Sequence, residues 1–419
     1  MAKSKTPQWK KNLWALWFGN FATGAGASMA LPFLPLFISE FGNFPKWELT
    51  LYSGLAFSSV FLSQAIVSPM WGNLADRTGR KPMLLRASIG MTISATLCGL
   101  APNVWTLILI RFIQGTFSGY INNAYALMAS EVPQEESGHT MGTLTTGNVG
   151  GNLIGPIIGG YLSGVFGYRL PFYIFGFMMF LAAVSTWLFV KEDFKPVKKS
   201  AKLGIKDAFA GIQKKWVVSA MIVSSMLIMA ATMSINPIIS LFVRELMHGH
   251  GNVAFISGVV AALPGIATIL TAPTLGKLGD HIGPEKILLA GLIFSAVVFF
   301  PMTFVTTVLM LGILRFLIGI ANAALMPITQ TVMTLETPAS SVSRIFSYNQ
   351  SAQAVGAVIG PMMASGVAGI LDYRYVFLMT TLLVLINLGV VLLSYRKYRG
   401  QRHCTQDYCG GFVKNKIIK

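Results

Sequence analysis

Two arginines stand where an arginine is costly. Arg111 in LILIRFIQG and Arg315 in LGILRFLIG each interrupt a long apolar run, and they are 315 − 111 = 204 residues apart. A charge inside an apolar span usually marks function. At the helical repeat, Arg111, Gln114, Ser118, Asn122 and Tyr125 share one face, and Arg315, Gly319, Asn322, Met326 and Thr329 form the matching face. A polar stripe of that length lines a wet cavity. Its chemistry is binding, because the residues needed for bond making are missing. No nucleophile–base set, HExxH or Cys/His cluster is present, and His139, His248, His250, His281 and His403 lie in or near loops. GKL at 276–278 lacks the glycine spacing and the Ser or Thr of a P-loop, so the chain carries no ATP motor. The expectation is a protein that is not an enzyme, with no cofactor and no metal.

The elements that position these residues follow from composition. Of 419 residues, 53% are hydrophobic and only 11% charged, with mean hydropathy +0.62; a soluble domain carries about 25% charged residues. The apolar residues come in runs long enough to cross a ~30 Å hydrocarbon core, which takes ~20 residues per helix. The fold class is all-α polytopic membrane protein. Breaks in the runs give twelve spans, near 12–39, 50–72, 82–101, 104–130, 139–165, 170–190, 216–243, 253–275, 285–304, 306–334, 342–369 and 373–395. The first run is too long for a signal-peptide core and reads as a spanning helix. With the N-terminus inside, the outer loops hold only Lys46, Arg169, Arg244 and Arg374, and the other loop cations fall inside. That asymmetry puts both termini in the cytoplasm. The net charge of +17 then reflects attraction to anionic lipid and requires no nucleic acid. Cys98 falls in a helix, and Cys404 with Cys409 in the tail, a weak metal signature.

The chain repeats itself. GNLADRTGRKP at 72–82 returns as GKLGDHIGPEK at 276–286, an offset of 276 − 72 = 204. Gly155-Pro156 and Gly360-Pro361, Tyr168-Arg169 and Tyr373-Arg374, and Pro32 and Pro237 with Glu40 and Glu245 recur at 205. The organisation is an N-terminal six-helix bundle at 1–190, a basic cytoplasmic linker at 191–215, a C-terminal six-helix bundle at 216–396 and a tail at 397–419. Two homologous halves place a site between them near the bilayer midplane, exposed to each side in turn as they rock.

These motifs resemble those of the major facilitator superfamily, and more narrowly its bacterial twelve-helix multidrug efflux branch. The resemblance covers residues 12–396 and rests on GNLADRTGRK, on RFIQGTFSG, and on the antiporter signature of the fifth helix, Gly142, Gly151, Gly155-Pro156 and Gly159-Gly160. It implies export of drugs or other amphiphilic small molecules by proton antiport from a bacterial inner membrane, with a monomer as the working unit and membrane lipids around it. It also implies a conformational latch of Gly72, Asp76, Arg80 and Glu131, with Asp76 facing the eleventh helix; Arg80 is paired with Glu131 because Glu131 ends the fourth helix on the same cytoplasmic side. Gly72 and Gly79 are read as turn residues. The path-lining helices contribute Asn20 and Thr23, then Arg111, Gln114, Ser118, Asn122 and Tyr125, then Asn148 and Asn152, Asn236, Arg315, Asn322, Met326 and Gln353. Many relatives hold a carboxylate in the membrane, but here every Asp and Glu falls at a helix end or in a loop. The proton-coupling candidates are Glu40, Asp76, Glu131, Glu245 and Glu336. A cavity with Arg and no carboxylate suits anionic, zwitterionic or neutral amphiphiles. A dedicated exporter or importer of one metabolite, such as a sugar or organic acid, and a non-transporting receptor or scaffold are the competing readings; the complete antiporter signature opposes an importer.

Overall fold

The structure is a computed structural model that describes residues 7–194, 212, 214–338 and 341–405; most of the linker and tail, and the side chains of Lys277, Asp280 and His281 in the repeated motif, lie outside the described residues. Among the described residues are twelve helices long and apolar enough to cross a membrane. They are α1 (Gln8–Ser39), α2 (Lys46–Thr78), α3 (Arg80–Leu100), α4 (Val104–Glu131), α5 (Glu136–Phe166), α6 (Leu170–Phe189), α7 (Lys215–Leu246), α8 (Val253–Gly276), α9 (Pro284–Met302), α10 (Val308–Glu336), α11 (Ile345–Ile370) and α12 (Tyr373–Ser394). The protein is a multi-pass membrane protein.

Three spans are broken, each where its sequence demands it. In α1 a 3₁₀ turn at Leu31–Phe33 accommodates Pro32 and Pro35, and in α7 the helix stops at Ser234 and resumes at Ile239 around Pro237. In α4 the helix ends at Thr116 and restarts at Tyr120, with Gly119 left-handed at φ 111°. The repeat-related α10 runs unbroken.

Stretch 72–82 is not a loop. Helix continues to Thr78 and restarts at Arg80, so Gly79 alone makes the corner, at φ 96°. Its copy uses Gly283 in the same way, at φ 102°. Gly72 therefore lies inside α2, and a side chain there would meet nothing within 4 Å. The sequence pattern suggested a turn because glycine and charge cluster there; the helix tolerates both because this end projects beyond the apolar span.

The halves meet along two related seams, both at the face opposite the N-terminus. On α2, Gly54 lies against the Pro361 carbonyl of α11, where a side-chain carbon would sit 3.1 Å from that oxygen; on α8, Gly258 (258 − 54 = 204) lies against the Pro156 carbonyl of α5. Farther out, Gly369 packs on Thr50 and Trp47, and its counterpart Gly164 (369 − 164 = 205) packs on Asn252. Ser58 Oγ donates to the Val358 carbonyl across the first seam at 2.8 Å. Lys46 Nζ reaches Asp372 Oδ1 at 2.6 Å and lies 4.2 Å above the Tyr373 ring. At the face carrying the N-terminus and stretch 72–82, here termed the basic face, Gly72, Gly138, Gly142, Gly276 and Gly279 have no neighbour within 4 Å of a built side-chain carbon. Among the described residues, these contacts between the halves lie at the face opposite the basic one.

Candidate functional site

Glycines on α5 decide how the first half packs. Gly151 and Gly155 abut the backbone of α1 at Phe21, Ala25 and Met29, and Gly159 meets the Met29 carbonyl. Gly160 turns the other way, onto Ala254 of α8, whose carbonyl oxygen would lie 2.7 Å from an added carbon. The signature thus serves two interfaces, α1 within the half and α8 across the seam. A side-chain carbon added at Gly142 would meet nothing within 4 Å.

Inside the first half lies a cavity of about 300 Å³ among α1, α2, α3, α4 and α6. Thr23, Gln64, Arg111, Gln114, Ser118 and Asn122 supply its polar lining, and Leu31, Phe61, Met91, Tyr120, Phe172 and Phe175 its apolar wall. Arg111 is buried and bridges two helices, its Nε donating to the Ala56 carbonyl of α2 at 2.8 Å and its Nη1 to Gln114 Oε1 at 3.5 Å. The approach is close because Gly115 lies on Val60 and Ser63 of α2. Tyr120 closes the floor with its hydroxyl 2.8 Å from Thr186 Oγ1, its ring occupying space left by Gly19. No carboxylate lines this cavity. A fixed guanidinium in an apolar enclosure favours an anionic head on an apolar body.

The structure gathers Thr23, Arg111, Gln114, Ser118 and Asn122 here and leaves the other expected binding residues elsewhere. Asn20 is wholly buried and donates to the Leu144 carbonyl at 3.4 Å. Tyr125 pairs with Thr145 Oγ1 at 2.8 Å. Asn152 Nδ2 bonds Asn148 Oδ1 at 2.8 Å beside Gly24. In the second half Arg315 is buried with no hydrogen-bond partner for Nε. Asn322 borders a crevice of only about 10 Å³ with Thr232 and Asn387. Asn236 Nδ2 lies 3.3 Å from Met233 Sδ, and Met326 and Gln353 are half-buried. The cavity of about 300 Å³ lies within the first half, beside the break in α4, whereas the unbroken α10 borders a crevice of about 10 Å³.

The latch residues are arranged differently from the expectation. Arg80 Nη2 binds Asp76 Oδ1 at 2.8 Å across the Gly79 corner and makes no ion pair with Glu131. Glu131 Oε2 instead accepts Asn12 Nδ2 at 2.5 Å, and Asn12 also holds the Lys191 backbone through both its carbonyl (2.7 Å) and its N–H (3.0 Å). Asp76 is exposed, and its ion-pair partner among the described residues is Arg80. Sequence reasoning missed Glu192, whose two oxygens accept the backbone N–H groups of Arg80 and Lys81, both at 2.7 Å. A carboxylate there caps the free N–H groups and meets the positive end of α3. The signal was a carboxylate at the start of an otherwise basic linker. A pocket of about 790 Å³ lies between Asp76 and Arg80 on one side and Glu131, Glu192 and Asp193 on the other.

Among the remaining acids, Glu336 pairs with Lys214 at 3.1 Å, and Glu245 is exposed. Glu40 borders a pocket of about 610 Å³ at the closed seam, with Tyr168 from its own half and Arg244 from the other. Partial burial raises the Glu40 carboxyl above its ordinary range, against the opposing pull of Arg169. Tyr168 is raised in turn, by burial and by the Glu40 charge, with Arg244 opposing. Among the described residues no group of His, Cys, Asp and Glu is placed to hold a metal ion.

With this geometry in place, comparison with known proteins is informative. The sequence profile of the Major Facilitator Superfamily matches residues 16–258 and 221–406. A multidrug resistance protein MdtG of Escherichia fergusonii is 45% identical over 394 residues, 94% of this chain and 96% of its own. The MdtG of Klebsiella pneumoniae is 44% identical over 398 residues, covering 95% and 97%. Among solved structures, an inward-facing, unoccupied bacterial homologue of the human lysosomal transporter Spinster superposes with a TM-score of 0.76 at 16% identity, over 95% of this chain and 99% of that one. The nucleoside transporter NupG gives 0.74 at 14% identity, covering 93% of this chain and 99% of its own.

Proposed function

The chain belongs to the Major Facilitator Superfamily, and we propose that it exports drugs or other amphiphilic small molecules from the cytoplasm across a bacterial inner membrane, as a proton antiporter. The observation that carries this reading is the Arg111 cavity in a molecule whose halves are in contact at the face opposite the basic one. The positive-inside asymmetry makes the basic face cytoplasmic, with both termini there. Substrate enters from that side, binds Arg111, Gln114, Ser118, Asn122 and Thr23, and leaves when the Gly54 and Gly258 seams part. The other polar residues on the expected faces, Asn148, Asn152 and Asn322 among them, join the path as the halves move. Asp76 and Arg80 then latch the cytoplasmic ends shut against α11.

The relatives' names, multidrug resistance protein, support drugs as the substrate class. The lining supports anionic, zwitterionic or neutral amphiphiles over cations. Glu40 is the carboxylate best placed to carry the proton: it lies at the seam that must open and shares a pocket there with Arg244 from the other half. The protein works as a monomer surrounded by lipid.

The experiment is efflux from cells expressing the protein, using two dansyl amphiphiles of equal chain length, one ending in a carboxylate and one in a trimethylammonium. The carboxylate probe is expected to be exported and to accumulate once an uncoupler is added. Export of the cation as fast as the anion would refute the substrate class, and export indifferent to uncoupler would refute the coupling.

A further inference from the structure

The cavity exists because α4 is broken, and a broken helix leaves carbonyls without partners. Two side chains outside the cavity take them. Trp71 of α2 donates its Nε1–H to the Thr116 carbonyl at 2.8 Å. Arg86 of α3 donates Nη2–H to the Ser118 carbonyl at 2.7 Å. The two are coupled, because the Arg86 guanidinium lies 3.9 Å over the Trp71 ring. Gly119 supplies the left-handed backbone that the corner needs, and Gly90 of α3 gives up the space into which Phe117 is pushed.

The second half serves as an internal control. At the offset of 204 that relates Arg111 to Arg315, Trp71 becomes Leu275, Arg86 becomes Ala290 and Gly119 becomes Ala323. All three parts of the device are missing together, α10 is continuous, and its Asn322 borders a crevice of about 10 Å³. The break, its two carbonyl partners and the cavity come as a set.

We propose that Arg86 and Trp71 are positioning residues for substrate selectivity: without lining the cavity, they hold the α4 corner that gives it its shape. This rests on the transport reading above. Ser118, Tyr120 and Asn122 lie on or just after the corner, so its geometry decides where they stand relative to Arg111. Losing either partner leaves a carbonyl unpaired, and the chain relieves this by rewinding or unwinding residues 117–119.

The test uses the full-length protein reconstituted in proteoliposomes, with the two dansyl probes and with amide hydrogen exchange at residues 117–123. R86M keeps an apolar stem and removes the donors; R86K restores one donor; W71F keeps the ring under Arg86 and removes its N–H. R86M is expected to raise the KM for the carboxylate probe tenfold or more with Vmax within about twofold. R86K is expected to recover most of that loss, and W71F to fall between. Exchange at 117–123 is expected to change at least tenfold in R86M, independently of any transport. A purely structural role would lower folded yield or Vmax and leave KM alone. An unchanged KM together with unchanged exchange at 117–123 overturns the proposal. If R86M does not fold, W71F decides the question by the same two readouts. If the wild type moves neither probe, the transport reading fails, while the exchange measurement still decides the role of the corner.

Discussion

Replacing Gly258 by alanine tests the seam directly. Its missing side-chain carbon would overlap the Pro156 carbonyl of α5 and sit 3.2 Å from Phe33 Cζ. The carbonyl is backbone inside a packed helix, so α5 or α8 has to shift. Overpacking of this kind costs typically about 1–3 kcal/mol. Alanine also favours helix by roughly 0.8–1 kcal/mol, but that gain is common to both conformations and cancels from their ratio. The predicted result is a shift of about 1–3 kcal/mol away from the conformation closed at this face, roughly five- to 150-fold in population. The assay is the alkylation rate of a cysteine placed at the exposed Thr145, in a background lacking the three native cysteines. G258A is expected to slow alkylation from the basic face. G142A and G276A add a carbon where nothing lies within 4 Å and so carry no such penalty in this conformation; they are expected not to slow it. A folded G258A alkylated at the wild-type rate would refute the claim that this contact holds the outer seam.

Arg111→Ala removes the Ala56 and Gln114 bonds and the cavity's only charge; transport of the carboxylate probe is expected to fall at least tenfold, about 1.4 kcal/mol, measured as kcat/KM at normal folded yield. Burial acts to raise the Asp372 carboxyl, but Lys46, the Tyr373 N–H and Arg374 outweigh it, leaving its pKa below the ordinary value. A depressed carboxylate stabilises the paired form above its ordinary pKa and loses that contribution as pH falls through the depressed one. The Lys46–Asp372 pair is therefore expected to hold from neutral pH down to the ordinary carboxylate range and to weaken only below it, and D372N is expected to abolish that acid limb in a seam-distance titration. Glu192→Ala strips the cap from Arg80 and Lys81; a lost cap costs about 1 kcal/mol, so exchange of those two amides is expected to rise about fivefold. Glu40→Gln is expected to leave probe binding intact and to make transport indifferent to an imposed pH gradient, measured in proteoliposomes.

Much of the architecture was legible because membrane spans announce themselves. A long apolar run has few alternatives to helix, and a fixed offset of 204–205 exposes the duplication whatever the contacts. The glycines of the fifth helix could also be read as packing residues, although only the structure separates Gly155, facing α1, from Gly160, facing α8. The polar face of α4 is the one that borders the cavity, at Arg111, Gln114, Ser118 and Asn122. On α10 the same argument leads to Asn322, which borders a crevice of about 10 Å³, since periodicity records which residues share a face and not whether space adjoins it. Arg80 was assigned to Glu131 by proximity along the membrane normal, but a partner four residues away across a corner is nearer, and Asn12 already holds one oxygen of Glu131. Arg86 falls inside the expected span 82–101 but shares no periodic polar stripe that would single it out. Its role depends on a carbonyl released by Gly119, thirty-three residues away (119 − 86 = 33).

The most direct test is a pair of distance measurements by spin labels on exposed positions of the two halves. Met70 and Leu335 report the basic face; Leu100 and Leu371 report the opposite face. Substrate or an imposed pH gradient is predicted to shorten the first distance while lengthening the second. Two distances that change in the same sense, or a molecule that keeps both fixed while it transports, would contradict two halves rocking about an Arg111 cavity.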